Sequence, residues 1–401
     1  GNTTGANNVA IGLNSSYANT TGAQNVSVGR QSLYANTTGF YNNAIGSDAL
    51  FANTTGQRNN SIGTYSMAAN TTGNYNSGLG DQILRNNTSG SSNVAIGYQS
   101  LFANTTANNN TGVGYSSLKA NTTGFNNTAV GHNALTANTT AINNTALGVN
   151  AGASLVSGQQ NVFVGAYTGD AITTGENNTA VGQGSLANDD VGLGSTAVGT
   201  QAMTFQNTAS ATYTLNTAVG FQSLYYNVTG QQNTTLGWRA GFGSVSGASV
   251  STLTAIGYHA GVNITTGHGN SFLGNSAGSG TTSGTENTAV GSLSFVDNTT
   301  GAGNVAVGRE SLANNTTASD NVAVGKLAMF TNTTGSQNTA VGTQALRLNT
   351  TAGENVAVGY YALKANTTGI QNTSIGKESL VTNITGSYNT AAGKSALESN
   401  T

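Results

Sequence analysis

Residues 321–337 read NVAVGKLAMFTNTTGSQ, residues 338–354 read NTAVGTQALRLNTTAGE, and residues 355–371 read NVAVGYYALKANTTGIQ. The same phrase fills nearly the whole chain. Its marker is the glycine closing each AVG-like triplet, which recurs every 17 residues from Gly12 to Gly199 and again from Gly257 to Gly393. Between these runs the step is 21 residues to Gly220, 17 to Gly237 and 20 to Gly257. That makes 23 copies in 401 residues. A fixed short period marks a solenoid, in which each repeat is one coil. Seventeen residues are too few for a helical or leucine-rich unit and suit one turn of a narrow parallel β-solenoid. The expected fold is therefore all-β: a single continuous parallel β-solenoid over residues 1–401, with about 23 coils. Coils about 4.8 Å apart would give a rod on the order of 110 Å long.

Composition fits an ordered array. Charged residues make up 6% of the chain, the formal net charge is −2, and Cys and Pro are absent. Eleven scattered Lys and Arg give no basic stripe for phosphates, which argues against a nucleic-acid partner. No apolar run reaches the length of a membrane-spanning helix. Without Cys there are no disulfides or thiolate metal sites, and the compartment stays open. Low charge with abundant Asn, Thr, Ser and Gly also fits disorder. Register argues otherwise, because disordered tracts tolerate slips and this spacing has none over eleven consecutive steps.

We number each coil so that the marker glycine is position 5. Position 4 is β-branched or Leu (Ile11, Val28, Ile45, Leu79), position 2 is mostly Val or Thr, and position 3 is small (Ala10, Ala44, Ala129). This period-2 alternation predicts a short strand, with positions 2 and 4 assigned to the core face. Position 9 is a second apolar site (Leu33, Leu50, Met67, Leu84), expected to meet position 4 across a thin core. Positions 12–15 read NTTG, and Asn and Gly suggest a corner in left-handed backbone. Stacking would align Asn8, Asn25 and Asn42 at position 1, and Asn19, Asn36 and Asn53 at position 12, into two amide ladders. One coil buries about two aliphatic side chains, at roughly 1.5–3 kcal/mol each. Ordering its backbone costs about 1–2 kcal/mol per residue, so a lone coil cannot fold.

The middle is irregular. Ala151–Gly152, Thr168–Gly169, Ala240–Gly241, Ala260–Gly261 and Ala277–Gly278 lack the position 9 Leu. Leu155, Ile172, Phe163 and Phe272 are candidates to fill the core there. The longer steps place inserted loops at residues 204–215 and 242–253, where solenoids often hold function. Neither end carries a recognisable polar cap. The expectation is a segment of a longer chain, or self-association by end-to-end stacking.

The phrases NVAIGYQSL (residues 93–101) and NVAVGRESL (304–312) resemble the head repeats of trimeric autotransporter adhesins. The wider NTAVG…NTTG pattern is similar to repeats of bacterial surface and tail-fibre-like proteins. The first resemblance implies a left-handed β-roll, a homotrimer, and adhesion at the cell surface.

No nucleophile–base constellation stands out. His132, His259 and His268 occupy different positions of different coils, and solvent-facing His is the expectation. Neither a cofactor nor a metal site is expected, with Asp189–Asp190 the one candidate pair for Ca²⁺. Sequons are the densest motif, at Asn19, Asn36, Asn53, Asn70, Asn104, Asn121, Asn138, Asn227, Asn263, Asn298, Asn332, Asn366 and Asn383. They read either as glycan acceptors or as ladder residues. Aromatics at Phe40, Tyr98, Tyr115, Phe125, Tyr225, Tyr226 and Tyr360 read as contacts for surface glycans or for a neighbouring chain. The leading functional reading is a non-catalytic, extracellular or cell-surface structural or adhesive fibre. The alternative is a carbohydrate-binding module, or an ice-binding one that uses Thr columns at positions 13 and 14.

Overall fold

The computed structural model describes residues 2–208, 210, 212–245 and 247–400. Gly1, Thr401, and Ala209, Ala211 and Ser246 within the two insertions lie outside the described residues. The fold is the expected all-β solenoid with a 17-residue period. Each coil contributes one three-residue strand at positions 2–4, from β1 (Val9–Ile11) to β23 (Thr390–Ala392). The chain divides into two compact units, Gly1–Ser195 with Asn207–Tyr213, and Thr196–Gln206 with Thr214–Thr401.

Within the first unit, sequential strands pair in parallel and in register. β1 meets β2 (Val26–Val28) as Val9↔Val26, and β10 (Val162–Val164) meets β11 (Thr179–Val181) as Val162↔Thr179. The second unit repeats the pattern. There β12 (Thr196–Val198) pairs β13 (Thr217–Val219), and β14 (Thr234–Leu236) pairs β15 (Thr254–Ile256). Both long coils keep the register, Thr196↔Thr217 and Thr234↔Thr254, so their extra residues loop out without shifting the strand.

The inward face differs from the expected one. Position 3 is the buried strand position: Ala44, Ala95, Ala129, Ala306 and Ala340 are fully buried. Positions 2 and 4, assigned above to the core, face outward, giving β8 (Thr128–Val130) and its neighbours a buried centre between more exposed flanks. The core pairs the position 3 Ala with position 9 Leu and position 8 Ala or Ser, as in Ala129, Leu135 and Ala134, all fully buried. The reason is space. A coil this narrow takes a methyl from the strand once a Leu comes in from the opposite side. A β-branched residue from each side would overfill it.

The corners also differ. Left-handed backbone sits at positions 7, 9 and 17, as in Gln99 (φ 56°), Leu101 (φ 53°) and Asn109 (φ 59°), and not at the NTTG Asn. The NTTG glycine is required by close approach. A Cβ on Gly56 would lie 2.6 Å from the Gly73 carbonyl oxygen of the next coil. The marker glycine is required twice over: Gly29 has φ +133°, and a Cβ there would sit 2.5 Å from the Gly46 carbonyl oxygen.

Core volume is conserved by exchange. Phe163 replaces the position 3 Ala in β10, and its ring fills the space left by the missing position 9 side chains of Gly152 and Gly169. A Cβ on Gly152 would lie 2.7 Å from the ring, and one on Gly169 2.5 Å. Phe272, in β16 (Ser271–Leu273), stands in the same relation to Gly261 and Gly278. Leu155 and Ile172 are fully buried too, in place of the position 12 Asn. Phe163→Ala is expected to cost about 3–5 kcal/mol. The triple change Phe163→Ala, Gly152→Leu, Gly169→Leu restores the consensus core and should recover most of that loss, which chemical denaturation of the parent and both variants would measure.

Candidate functional site

The two amide ladders form. At position 12, Asn36 Nδ2 donates to Asn19 Oδ1 at 2.9 Å and to the Gly39 carbonyl at 3.0 Å, and Asn53 repeats this toward Asn36. At position 1, Asn59 donates through its backbone N–H to Asn42 Oδ1 at 3.0 Å and through Nδ2 to the Gly73 carbonyl at 2.8 Å. Position 13 adds a third column: Thr20 Oγ1 donates to the Thr37 carbonyl at 2.9 Å, and Thr37 Oγ1 to that of Thr54 at 3.1 Å. Those hydroxyls are committed to the next coil. Their protons are therefore unavailable to water, and only the oxygen lone pairs of this column remain for ice binding.

Most of the sequons coincide with the ladder. Asn19, Asn36, Asn53, Asn70, Asn104, Asn121, Asn138, Asn227, Asn298, Asn332, Asn366 and Asn383 are buried. Their amide nitrogens are engaged, as in Asn366 to the Gly369 carbonyl at 2.9 Å and Asn227 to that of Gly230 at 3.0 Å. A glycan on such a nitrogen would displace the ladder, so burial favours the ladder reading of these positions over the acceptor reading. Asn263 is exposed, because Ile264 takes the inward place in that coil. Sequence reasoning missed Asn109, Asn126, Asn143 and Asn177, exposed sequon residues at position 17. The signal was available, since each is followed by the ladder Asn of position 1. In a glycosylating host, glycopeptide mass spectrometry should place any sugar on Asn263, on this position 17 set, or on the other exposed sequon residues Asn2, Asn14 and Asn86. Glycans on Asn36 or Asn53 in folded protein would contradict the ladder.

The aromatics meet one another along the axis. Tyr17, Tyr34 and Phe51 stack with centroids 5.2 Å apart, and Tyr98, Tyr115 and His132 at 5.5 and 5.2 Å. Phe40 packs edge-on to Tyr41, and Tyr360 stacks on Tyr361 at 3.9 Å. Ring faces are consumed by neighbouring coils, leaving mainly edges for another molecule.

The densest cluster lies in the second unit, on the coils bearing the insertions. Phe221, Trp238 and Tyr258 stack at 6.1 and 5.1 Å, while Phe205, Tyr225, Tyr226 and Phe242 pack beside them at 4.7–5.3 Å. Arg239 lies over the Trp238 and Phe242 rings at 4.5 and 4.8 Å. His259 stacks on Tyr258 at 4.2 Å, and its buried Nε2 has no partner. Burial first, and the charge of Arg239 second, hold the imidazole below its ordinary value of 6.5. The unfolded chain therefore takes up this proton first. Stability from the neutral imidazole is complete above about pH 6.5 and declines as pH falls toward the folded value. Melting curves at pH 8 and pH 5 should show this loss, smaller in His259→Asn.

Asp189 is buried and accepts the Gly192 N–H at 3.0 Å, replacing a ladder Asn. Among the described residues no three His, Asp or Glu gather where they could hold a metal ion. No described helix is long and apolar enough to cross a membrane.

The largest unexplained surface is the outward face of the strands. Leu79 is 53% exposed, Leu147 48%, Leu236 48% and Leu273 47%. A shallow depression of about 180 Å³ on this face is lined by Asn60, Ile62, Ser77, Gly78, Leu79, Val94 and Ile96. In comparison with known proteins, no family model matches the chain and no curated protein matches it in sequence.

Proposed function

We propose that the chain is a non-catalytic structural element of an extracellular or cell-surface fibre, and that it associates with copies of itself through the outward sheet face. The observation that carries this reading is the chemistry of positions 2 and 4. In all 23 coils these positions hold no charged residue, and position 4 is Val, Ile or Leu everywhere except Ala392. Soluble monomers interrupt such faces with Lys or Glu and rarely expose apolar patches above a few hundred Å².

Strands about 4.8 Å apart and about 10 Å long give each unit a face of roughly 500–600 Å². A stable interface needs about 800 Å² from each partner. One unit offers less than that, which fits a weak, concentration-dependent association. Within a unit the aliphatic residues stand in register from strand to strand, so two such faces can meet with side chains interdigitated, as stacked sheets do. A homotrimer and the adhesive role of the autotransporter heads are consistent with a face of this kind. The low charge and continuous internal bonding suit a stiff, protease-resistant spacer.

The test replaces the face without touching the core. Val307, Val324 and Val341 lie on adjacent strands of the second unit and point outward. Wild-type protein should sediment as an oligomer and appear as stalks or filaments in negative stain. Val307→Lys, Val324→Lys, Val341→Lys together should shift it to monomer, with a melting temperature within a few degrees of the parent. A wild type that stays monomeric at 100 µM, or a triple variant that assembles normally, would refute the interface.

A further inference from the structure

The cluster around Trp238 differs from the other aromatic columns in charge as well as size. Between Asp190 and Glu286 the sequence holds a single Asp, Glu, Lys or Arg, and it is Arg239. In a solenoid the neighbours of a coil are the coils adjacent in sequence, so no carboxylate of this unit is within reach. Arg30 pairs with Asp48 and Arg309 with Glu310, whereas Arg239 makes no ion pair among the described residues. It is nonetheless held in place. Its guanidinium rests on Trp238 and Phe242, and Nε donates to Gln222 Oε1 at 2.8 Å. Gln222 is itself anchored, its Nε2 donating to Gln201 Oε1 at 2.8 Å.

This leaves a fixed guanidinium whose terminal nitrogens have no acceptor, on a half-exposed aromatic shelf. An anchored Nε and a free pair of Nη groups is the geometry that takes a carboxylate by two parallel hydrogen bonds. Beside it the edges of Phe221, Trp238 and Tyr258 are 39%, 36% and 49% exposed and run along two coil steps, a span of about 10 Å. An elongated apolar rim flanked by glutamine amides suits a sugar chain two units long. With one cation in the whole stretch, the site matches a chain that carries one acid for every two sugars. A polyuronate would bring a second charge with no partner.

We propose that Arg239, Gln222, Trp238 and Tyr258 form a binding site for an acidic oligosaccharide in which a uronic acid alternates with a neutral sugar. The Arg239 fork takes the carboxylate, and the exposed apolar rim of the stacked rings takes the adjoining sugar by van der Waals contact. Trp238 and Arg239 lie on the second of the longer coils, and both ladders are interrupted beside the site, by Leu253 at position 1 and by Ile264 at position 12. The site uses positions 6 and 7 and the sheet face positions 2 and 4, so the Arg239 and Val307, Val324, Val341 variants test the two assignments independently.

Trp238 is the only tryptophan in the chain, so intrinsic fluorescence reports on the site directly. The probe is a hyaluronan tetrasaccharide, with chitotetraose as the neutral control and a galacturonate tetramer as the uniformly acidic one. The full-length wild type should show a saturable fluorescence change with the hyaluronan probe. Chitotetraose should give none, and the galacturonate tetramer should bind at least threefold more weakly. Arg239→Lys should weaken binding at least tenfold, Arg239→Gln should abolish it, and Gln222→Ala, which releases the Nε anchor, should weaken it severalfold. Arg309→Gln should leave it unchanged. Thermal melts establish that each variant is folded, and Gln222→Ala carries the test if Arg239→Gln is not. No saturable change in the wild type, equal affinity for chitotetraose, or unchanged binding by folded Arg239→Gln or Gln222→Ala would overturn the assignment. Tighter binding of the galacturonate tetramer would overturn the alternating-sugar specificity.

Discussion

Everything in this molecule depends on the axial hydrogen bond from one coil to the same atom set in the next. Backbone groups make most of these bonds, as in Val26 N–H to the Asn42 carbonyl at 2.8 Å and Gly46 N–H to the Val28 carbonyl at 2.8 Å. The Asn columns extend the principle to side chains whose amides bond along the same direction. Ladder Asn side chains find fixed partners for their amides, with Asn121 Oδ1 a buried exception where the column breaks before Asn138, so burying them is not penalised as isolated polar groups would be. The aliphatic core per coil is one Leu and little else. Polar satisfaction along the axis therefore takes over much of the role that burial has in a globular domain.

Axial bonding fixes the backbone, and the core adapts to it. Spacing cannot adjust, so only side-chain volume can. Phe163 with Gly152 and Gly169, and Phe272 with Gly261 and Gly278, redistribute the same volume between the two sides of the coil. Left-handed backbone at positions 7, 9 and 17 falls on Gln, Leu, Tyr and Asn more often than on Gly. The conformational cost at these residues is carried by the stacking that requires it.

The architecture was legible in the sequence because a 17-residue period held over eleven consecutive steps and then eight more leaves few alternatives to stacked coils. The ladders were legible for the same reason, from Asn8 and Asn19 onward. The sidedness of the strand was not. Period 2 identifies two faces without saying which is inside, and the larger residues at positions 2 and 4 pointed the wrong way. The clue was the Phe163–Gly152 exchange, which links position 3, not position 4, to position 9. The same inversion decided the functional reading, since a face assigned to the core cannot be an interface. The sequons left two readings open because the Asn-Thr-Thr of a ladder is identical in letters to a glycan acceptor. Only burial separates Asn36 from Asn263. The Arg239 cluster was hidden because its rings sit at positions 6, 7, 10 and 11, which adjoin in space and scatter in sequence.

The strict Gly46-to-Gly63 type of contact, in which one marker glycine touches its successor's carbonyl group, has a genetic consequence. Recombination between misaligned repeats that removes or duplicates one whole coding unit brings an equivalent glycine into the same contact, and the joint closes. A slip by any other number of codons sets a side chain against that carbonyl unless the extra residues loop out, as they do after Gly199 and Gly237. Length should thus vary among alleles in whole coils or in such loops, with the strand register kept.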